Sequence, residues 1–377
     1  TVEGSAARIG ATGAVTISAQ GDLRIQTEGD ADTKTTGGGG TGVGAAVAFT
    51  WAEDDVSASL DRDVGQTGTP AGAVSVTATG KIDARTLATG SASGAQSSSS
   101  GGQSAEDKAI NQTDYMNANS RSSLATPQPA QEVARGNSTA SNQTQNPGGQ
   151  GGTAQTGSQQ TQGAGIQVAA ALAATVVMPE VRATIAGNRK ITSTGAVSVR
   201  ALSDVDAETN ASGLALSTQG GDTVGAAVTL NLAILNSTAE VGNGVILSAA
   251  ALTVEAGTST GQMNTFRAQS LAGAGSKQSS STSSGTGGSG GSGSGGSGSG
   301  TGSTKTLAIA GSAAINVVLN DTTARVGNGV QADLTGAATV AARDEAGLSA
   351  IAGGASIVLA SGGSGGSGNV NGGIGGN

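Results

Sequence analysis

The chain has 377 residues, of which 66 are glycine and 1% are aromatic, and its formal net charge is −8. This acidic balance lacks the Lys/Arg footprint of a nucleic-acid-binding protein. The sequence has neither histidine nor cysteine, which excludes a Ser-His-Asp triad and any disulfide, and the scarcity of aromatic residues disfavours one thick spherical core.

Residues 1–90 contain the first two of five copies of a repeat unit. Each unit has an Ala-x-apolar triplet, followed by a short alternating apolar stretch such as AVSV at residues 73–76. The triplets begin at Ala7, Ala58, Ala183, Ala239 and Ala324. Once two low-complexity inserts are removed, the period is about 55 residues, a length typical of solenoids and arrays.

The apolar pattern inside a unit has a period of two residues. Val74, Val76 and Ala78 alternate with polar residues, as in a strand with one buried face. Four units also open with a longer Ala-rich run, such as VGAAVAFTW at residues 43–51. Because these runs are more continuously apolar, they indicate strands that are covered on both faces or that line a narrow interior.

Residues 91–163 form the first insert, which is rich in Ser, Gln, Asn, Thr and Gly. We expect it to be disordered, with a helix over residues 105–125 that packs on the repeats as the alternative. Such a composition offers too little apolar surface to offset the entropy of ordering.

Residues 164–275 hold units three and four, residues 276–305 a Gly/Ser-rich flexible insert, and residues 306–360 unit five. The longest apolar run, residues 165–178, is shorter than the roughly 20 residues of a membrane-spanning helix. We interpret it as a buried strand rather than a helix, and we expect no membrane span.

The Gly-rich tail, residues 361–377, contains Val370 and Ile374, which would let it dock as an edge-covering strand.

Carboxylates cluster at Asp54, Asp55, Asp61 and Asp63, and a second set comprises Asp204, Asp206 and Glu208. Calcium prefers such oxygen ligands, but neither set has the spacing of an EF-hand loop. We therefore expect no cofactor, with calcium at the first cluster as the weaker alternative.

Some aligned positions of the units are predicted to be structural turn positions. Asp55 aligns with Asn236 and Asp321, where an Asx side chain would bond its own backbone at a strand end. The phrase VGNGV occurs twice and places a Gly-Asn-Gly corner in each unit: Gly242, Asn243, Gly244, Gly327, Asn328 and Gly329. Glu240 and Arg325 share one register with opposite charge, which indicates an outward position beside an inward Val241 or Val326.

Two all-β architectures fit this pattern. The first is an elongated β-solenoid, a right-handed parallel β-helix with Gly/Ser-rich inserts, in which each unit would make two or three coils of roughly 20 to 25 residues. The second is an array of antiparallel β-sandwich-like repeats, which tight Asn-Gly turns favour. Small side chains and inserts at a fixed point of the repeat favour the solenoid.

Stretches such as AINVVLNDTTARVGNGVQADLTGAATVAARDEA, at residues 314–346, carry a rhythm that resembles a family of giant secreted bacterial surface proteins. These are the filamentous-haemagglutinin-like, adhesin-type exoproteins, and the resemblance covers the repeat units but not the inserts. It implies a β-helical stalk, secretion to the cell surface, and a role in attachment, surface coating or filament formation.

The sequence therefore predicts a structural protein of the extracellular space that associates with itself into filaments. The alternative is an adhesin module that binds a carbohydrate or cell-surface partner through its inserts. A polysaccharide-active enzyme is disfavoured, because aromatic sugar platforms are missing and no catalytic residue can be named.

Overall fold

The computed structural model describes residues 8–35, 40–93, 165–217, 221–259, 261–278, 306–360 and 370–372. All regular structure within these ranges is β-strand, and they contain no helix. The chain is therefore all-β where it is described, as its period-two pattern predicts. The fifteen strands are β1 (Val15–Lys34), β2 (Gly42–Leu60), β3 (Val74–Ser93), β4 (Gln167–Ile185), β5 (Lys190–Thr192), β6 (Ala196–Ser217), β7 (Thr223–Val241), β8 (Ile246–Ala249), β9 (Ala251–Thr258), β10 (Asn264–Gln278), β11 (Ala308–Val326), β12 (Gln331–Leu334), β13 (Ala338–Arg343), β14 (Ala346–Ala360) and β15 (Val370–Gly372).

Four of the Ala-rich runs form a sheet that we call sheet A. Its strands are ordered β11-β7-β4-β2, and every neighbouring pair is parallel. Gly42, Gln167, Thr223 and Ala308 occupy one register position. Equivalent residues of successive units therefore lie side by side. The apolar run at residues 165–178 belongs to β4, so its prediction as a strand is confirmed.

A larger sheet, sheet C, faces sheet A across the interior. Its main order is β1-β3-β6-β10-β14-β15, and β9 and β13 extend it beside β6. All its pairs are parallel except β14 with β15. Strand β2 packs against both β1 and β3, and β4 against β3 and β6, so the two sheets enclose a common core.

A short third sheet, sheet B, contains β5, β8 and β12 in parallel. From unit three onward the chain runs from sheet A through sheet B to sheet C, and then returns to sheet A. Each of these units makes one such circuit, rather than the two or three shorter coils expected from its length. The circuit is longer because each strand of sheet A has 19 residues, whereas shorter coils would require shorter strands.

The parallel pairing also bears on the alternative architecture. An array of antiparallel sandwiches would pair consecutive strands through hairpins, whereas β7 and β8 are consecutive strands that lie in different sheets. The Gly-Asn-Gly corner between them therefore directs the chain from one sheet to the next.

The predicted inserts lie mostly outside the described residues, including the candidate helix at residues 105–125. The breaks at residues 36–39, 94–164, 218–220 and 279–305 all fall between a strand of sheet C and the following strand of sheet A. The first insert was predicted to begin at residue 91 and the second at residue 276, but β3 continues to Ser93 and β10 to Gln278.

The core is thin and built from small side chains. Inward residues of the sheets are mostly alanine and valine, and Phe266 is the largest side chain that is fully buried in the described ranges. Small residues suit this interior because the facing sheets meet along their whole length. The core near the corners also includes Leu60, Ile185, Val241 and Leu247. Val241 is buried as predicted, whereas Val326, on the last strand of sheet A, is 39% exposed.

A line of buried threonine hydroxyls joins the two sheets. Thr209 donates to Thr175 at 2.6 Å, Thr86 donates to Thr50 at 2.6 Å, and Thr50 donates to Thr27 at 2.8 Å. The Oγ1 atoms of Thr86 and Thr175 are 2.6 Å apart. Because each hydroxyl has one proton, Thr175 is the donor in that bond, and all four bonds point the same way.

The end of sheet C is partly covered by the tail. Val370–Gly372 pairs in antiparallel orientation with Ile357, Val358 and Leu359 of β14. The prediction that Val370 docks in an edge-covering strand is confirmed, and Ile374 lies outside the described residues.

Candidate interaction face

The four candidate calcium ligands do not converge in the structure. Asp54 and Asp55 are adjacent in β2 and point to opposite faces, with Asp54 half-buried and Asp55 exposed. Asp61 forms an ion pair with Arg189 at 2.7 Å, and Asp63 accepts a hydrogen bond from the Lys190 backbone N–H at 2.9 Å. In the described ranges no group of three or more carboxylates is placed to hold a metal ion.

The second acidic set lies on the outer face of sheet C and takes part in a ladder of charges. The Lys81 ammonium is 2.6 Å from the Asp204 carboxylate, and this hydrogen bond raises the pKa of Lys81. Burial, followed by the charge of Asp204, raises the pKa of Asp206. Along β3, Arg85 lies 3.5 Å from Asp83. Lys81 thus pairs with Asp204 across strands, and the rows that follow place Asp83 beside Asp206 and Arg85 beside Glu208. The acidic set therefore alternates with basic side chains on the sheet surface.

Asp55, Asn236 and Asp321 were predicted to occupy turns, but they lie within strands β2, β7 and β11. Each is five residues before the end of its strand. They do share one register position, which also includes Glu180 of β4. The sequence alignment of the units therefore identifies residues that share one row of sheet A, which we call the acidic row. Their prediction as turn residues is wrong, because the row lies within strands.

The Gly-Asn-Gly positions lie in the corner between sheets A and B. Gly244 and Gly329 have φ angles of 69° and 70°, the left-handed region that favours glycine. The Asn328 backbone N–H donates to Asn243 Oδ1 at 2.7 Å, which connects the two corners. Two residues before each corner, Arg325 is 2.8 Å from Glu240, so the opposite charges in that outward register form an ion pair between adjacent units.

The outer face of sheet A is apolar over much of its length. Beginning at the row of Val43, six consecutive rows of outward positions are apolar or glycine, with Glu53 as the sole exception. We call these six rows the apolar face. Its rows, in strand order β2, β4, β7, β11, are Val43, Val168, Val224, Ile309; Ala45, Ala170, Ala226, Gly311; Val47, Leu172, Val228, Ala313; Phe49, Ala174, Leu230, Ile315; Trp51, Val176, Leu232, Val317; and Glu53, Met178, Ile234, Leu319.

Many side chains of the apolar face are exposed to solvent. Val47 is 68% exposed, Leu319 56%, and Phe49 and Trp51 54% each. The rings of Phe49 and Trp51 are 6.4 Å apart at their centroids, and Trp51 is the only tryptophan of the chain. The acidic row follows directly, so the face has a sharp polar border.

Sequence reasoning missed this face. It interpreted the Ala-rich runs as strands covered on both sides or lining the interior, whereas one side of each lines the core and the other is open. Outward positions of sheet C carry several charged side chains, whereas the six rows of the apolar face carry only Glu53, and this contrast becomes visible once the strands are aligned in register. A contiguous exposed apolar patch of this size marks an interaction surface.

A shallow groove along sheet B is lined mainly by polar residues, among them Thr67, Lys190, Ser193 and Asp333. One lysine and one aspartate do not form a nucleophile-base pair oriented by a third group. Within the described ranges there is also no helix long and apolar enough to cross a membrane.

Comparison of the chain with protein-family models, with curated protein sequences and with solved structures gave no match.

Proposed function

We propose that the chain is a structural protein of the extracellular surface, a segment of β-solenoid that forms a fibre, stalk or coat and assembles into filaments. The single observation that carries this proposal is the register of the parallel sheets, in which each unit adds one layer to the layer before it. A fold built in this way lengthens by repetition and needs no catalytic residue. The right-handed coil and the secreted or cell-surface location are parts of the same proposal.

The described part of the fold is short along its stacking direction. Its five layers, about 4.8 Å apart, extend only about 20 Å. A fibre therefore needs further layers stacked on these. Among the described strands, β2 and β11 each pair on one side only, so both present a free edge to another strand.

The tail at β15 acts against this stacking because it covers part of the β14 edge. Covered edges are a common protection against strand addition. We therefore expect the tail to limit filament length.

Negative-stain electron microscopy of the purified chain tests the proposal. Filaments are expected, and deletion of residues 361–377 should lengthen them because it frees the edge of β14. Discrete particles at all concentrations, both with and without the tail, would contradict the filament role.

The second candidate is an adhesin module that binds a carbohydrate or a cell surface through its inserts. One observation favours it: both long inserts lie between a strand of sheet C and the next strand of sheet A, so both are attached at the same corner of the repeat. Deleting residues 103–163 separates the two functions. Loss of surface attachment with filaments intact supports the adhesin, whereas loss of filaments assigns the insert to assembly.

A further inference from the structure

We propose that the apolar face of sheet A binds the same face of a second copy of this chain, about a two-fold axis that runs along the stacking direction of the strands. The inference builds on the structural role proposed above, because it names the partner of one surface. It can nevertheless fail while that role stands, since end-to-end stacking uses strand edges and not this face.

The area of the face suits a dimer. Four strands and six outward positions along each strand cover roughly 700 Å². This is close to the roughly 800 Å² per partner that a standard stable interface buries. At about 25 cal/mol per Å² of apolar surface, exposure of such a face to water is unfavourable, so its burial provides a driving force for pairing.

The charges at the border select the orientation. With the axis along the stacking direction, each strand lies antiparallel to its own copy, and the first apolar row faces the sixth. Both acidic rows then lie beyond the partner's apolar face, at opposite edges, where water reaches Asp55, Glu180 and Asp321. An axis along the strands would instead place the two acidic rows over each other, which like charges disfavour.

Side-chain sizes select the same orientation. The second row faces the fifth, so each small residue of the second row lies opposite a large residue of the fifth. The four facing pairs are Ala45 with Trp51, Ala170 with Val176, Ala226 with Leu232, and Gly311 with Val317. Large side chains opposite small ones let two sheets interdigitate at the usual separation of about 10 Å. The axis along the strands would place Trp51 over Val317 and Val176 over Leu232, large over large.

The chemistry of the face disfavours other partners. A carbohydrate site needs polar groups that converge on the sugar, and a small-molecule site needs a concave pocket. The apolar face has one polar side chain, Glu53, and that residue lies on the edge strand β2. A nucleic acid would require basic side chains. A second apolar surface of matching shape is the partner that this face fits.

The test combines sedimentation velocity of the full-length chain with the fluorescence of Trp51. We expect a dimer whose population rises with protein concentration, accompanied by a blue shift of Trp51 emission and weaker acrylamide quenching. The double variant Leu230→Thr/Ile234→Thr places β-branched threonines, which favour a strand, at both positions, and it should weaken association at least tenfold. The matched control Ile246→Thr changes an aliphatic residue that is 47% exposed on sheet B, and it should leave association unchanged.

A swap across the facing rows tests the orientation. Ala226→Leu places a leucine opposite Leu232 of the partner copy and should weaken association at least tenfold. The double variant Ala226→Leu/Leu232→Ala exchanges the two sizes and should restore it. Both positions face outward, and thermal melting verifies that each variant folds.

Four results would overturn the inference: a monomer at all concentrations, Trp51 already shielded in the monomer by the chain itself, association that persists in Leu230→Thr/Ile234→Thr, or no rescue by the swap. If filaments still form in any of these cases, the face pairing fails and the structural role remains. If the dimer forms and microscopy shows no filaments, the filament role fails and the face pairing remains.

Discussion

Asp206 lies on the outer face of sheet C, and the fold raises the pKa of its carboxyl. It lies half-buried beside Asp204, and burial and that neighbouring charge raise its pKa from 3.8. The native state therefore holds the proton more tightly than the unfolded chain does. This contribution to stability is fully present below the unfolded pKa and is lost as the pH rises through the native pKa.

Asp206→Asn should accordingly raise the melting temperature at pH 7, by roughly 2 °C, because the amide has no charge to desolvate. The gain should shrink as the pH falls through the native pKa of Asp206, because the carboxyl itself then becomes protonated. Thermal melts of both proteins across this pH range measure the difference. The control Asp204→Asn should lower the melting temperature at pH 7, because it breaks the 2.6 Å pair with Lys81. A gain from Asp206→Asn that is independent of pH would contradict this account.

Thr175 is the central residue of the hydroxyl chain, and its side chain is fully buried. Thr175→Val retains the shape but removes the acceptor of the Thr209 proton. An unsatisfied buried donor costs about 1–3 kcal/mol, so urea unfolding should show a loss of stability in that range. Thr209 is the first donor of the hydroxyl chain, and no described group donates to it. Thr209→Val should therefore lower the free energy of unfolding by less than Thr175→Val does. Equal losses for the two variants would argue against the directed hydrogen-bond chain.

At the scale of elements, the corners follow most directly from sequence. Gly-Asn-Gly identified them because glycine is the residue that adopts a positive φ without strain. The strands were harder to predict. Asp55, Asn236 and Asp321 follow the apolar runs of their strands, and local preference assigns such residues to turns. The parallel ladder overrides that preference, because each strand continues for five more residues beside its neighbour.

The two glycine corners give a matched comparison. Gly244→Ala and Gly329→Ala both place an alanine in the left-handed region, which costs about 1–2 kcal/mol. Gly244→Ala should cost more, because a Cβ there would lie 2.5 Å from Asn188 Oδ1, whereas the nearest atom at Gly329 is 3.9 Å away. Chemical denaturation of the two variants measures the difference. A larger loss for Gly329→Ala would contradict the packing of consecutive corners.

At the scale of the molecule, repetition in the sequence predicted the all-β class and the addition of one unit beside another. It did not predict how long each circuit is, because a period of 55 residues divides equally well into several short coils or one long one. Nor did it predict the apolar face. A run such as VGAAVTLNLAIL has apolar residues at both phases of the strand, and local sequence does not tell whether the second phase meets another sheet or remains open.

Units far apart in sequence form consecutive layers in one parallel register. Ser57, Arg182, Thr238 and Thr323 occupy a single outward row, so three strand spacings separate Ser57 from Thr323. Because the chain has no cysteine, Ser57→Cys/Thr323→Cys gives two unique sites for spin labels.

Pulsed EPR of this doubly labelled protein is the most direct test, performed in dilute solution with excess unlabelled chain so that only distances within one chain contribute. The account predicts a narrow distance distribution that corresponds to a backbone separation of about 14 Å, despite the length of chain between the sites. A broad distribution, or one centred at more than twice that separation, would contradict the stacked parallel register.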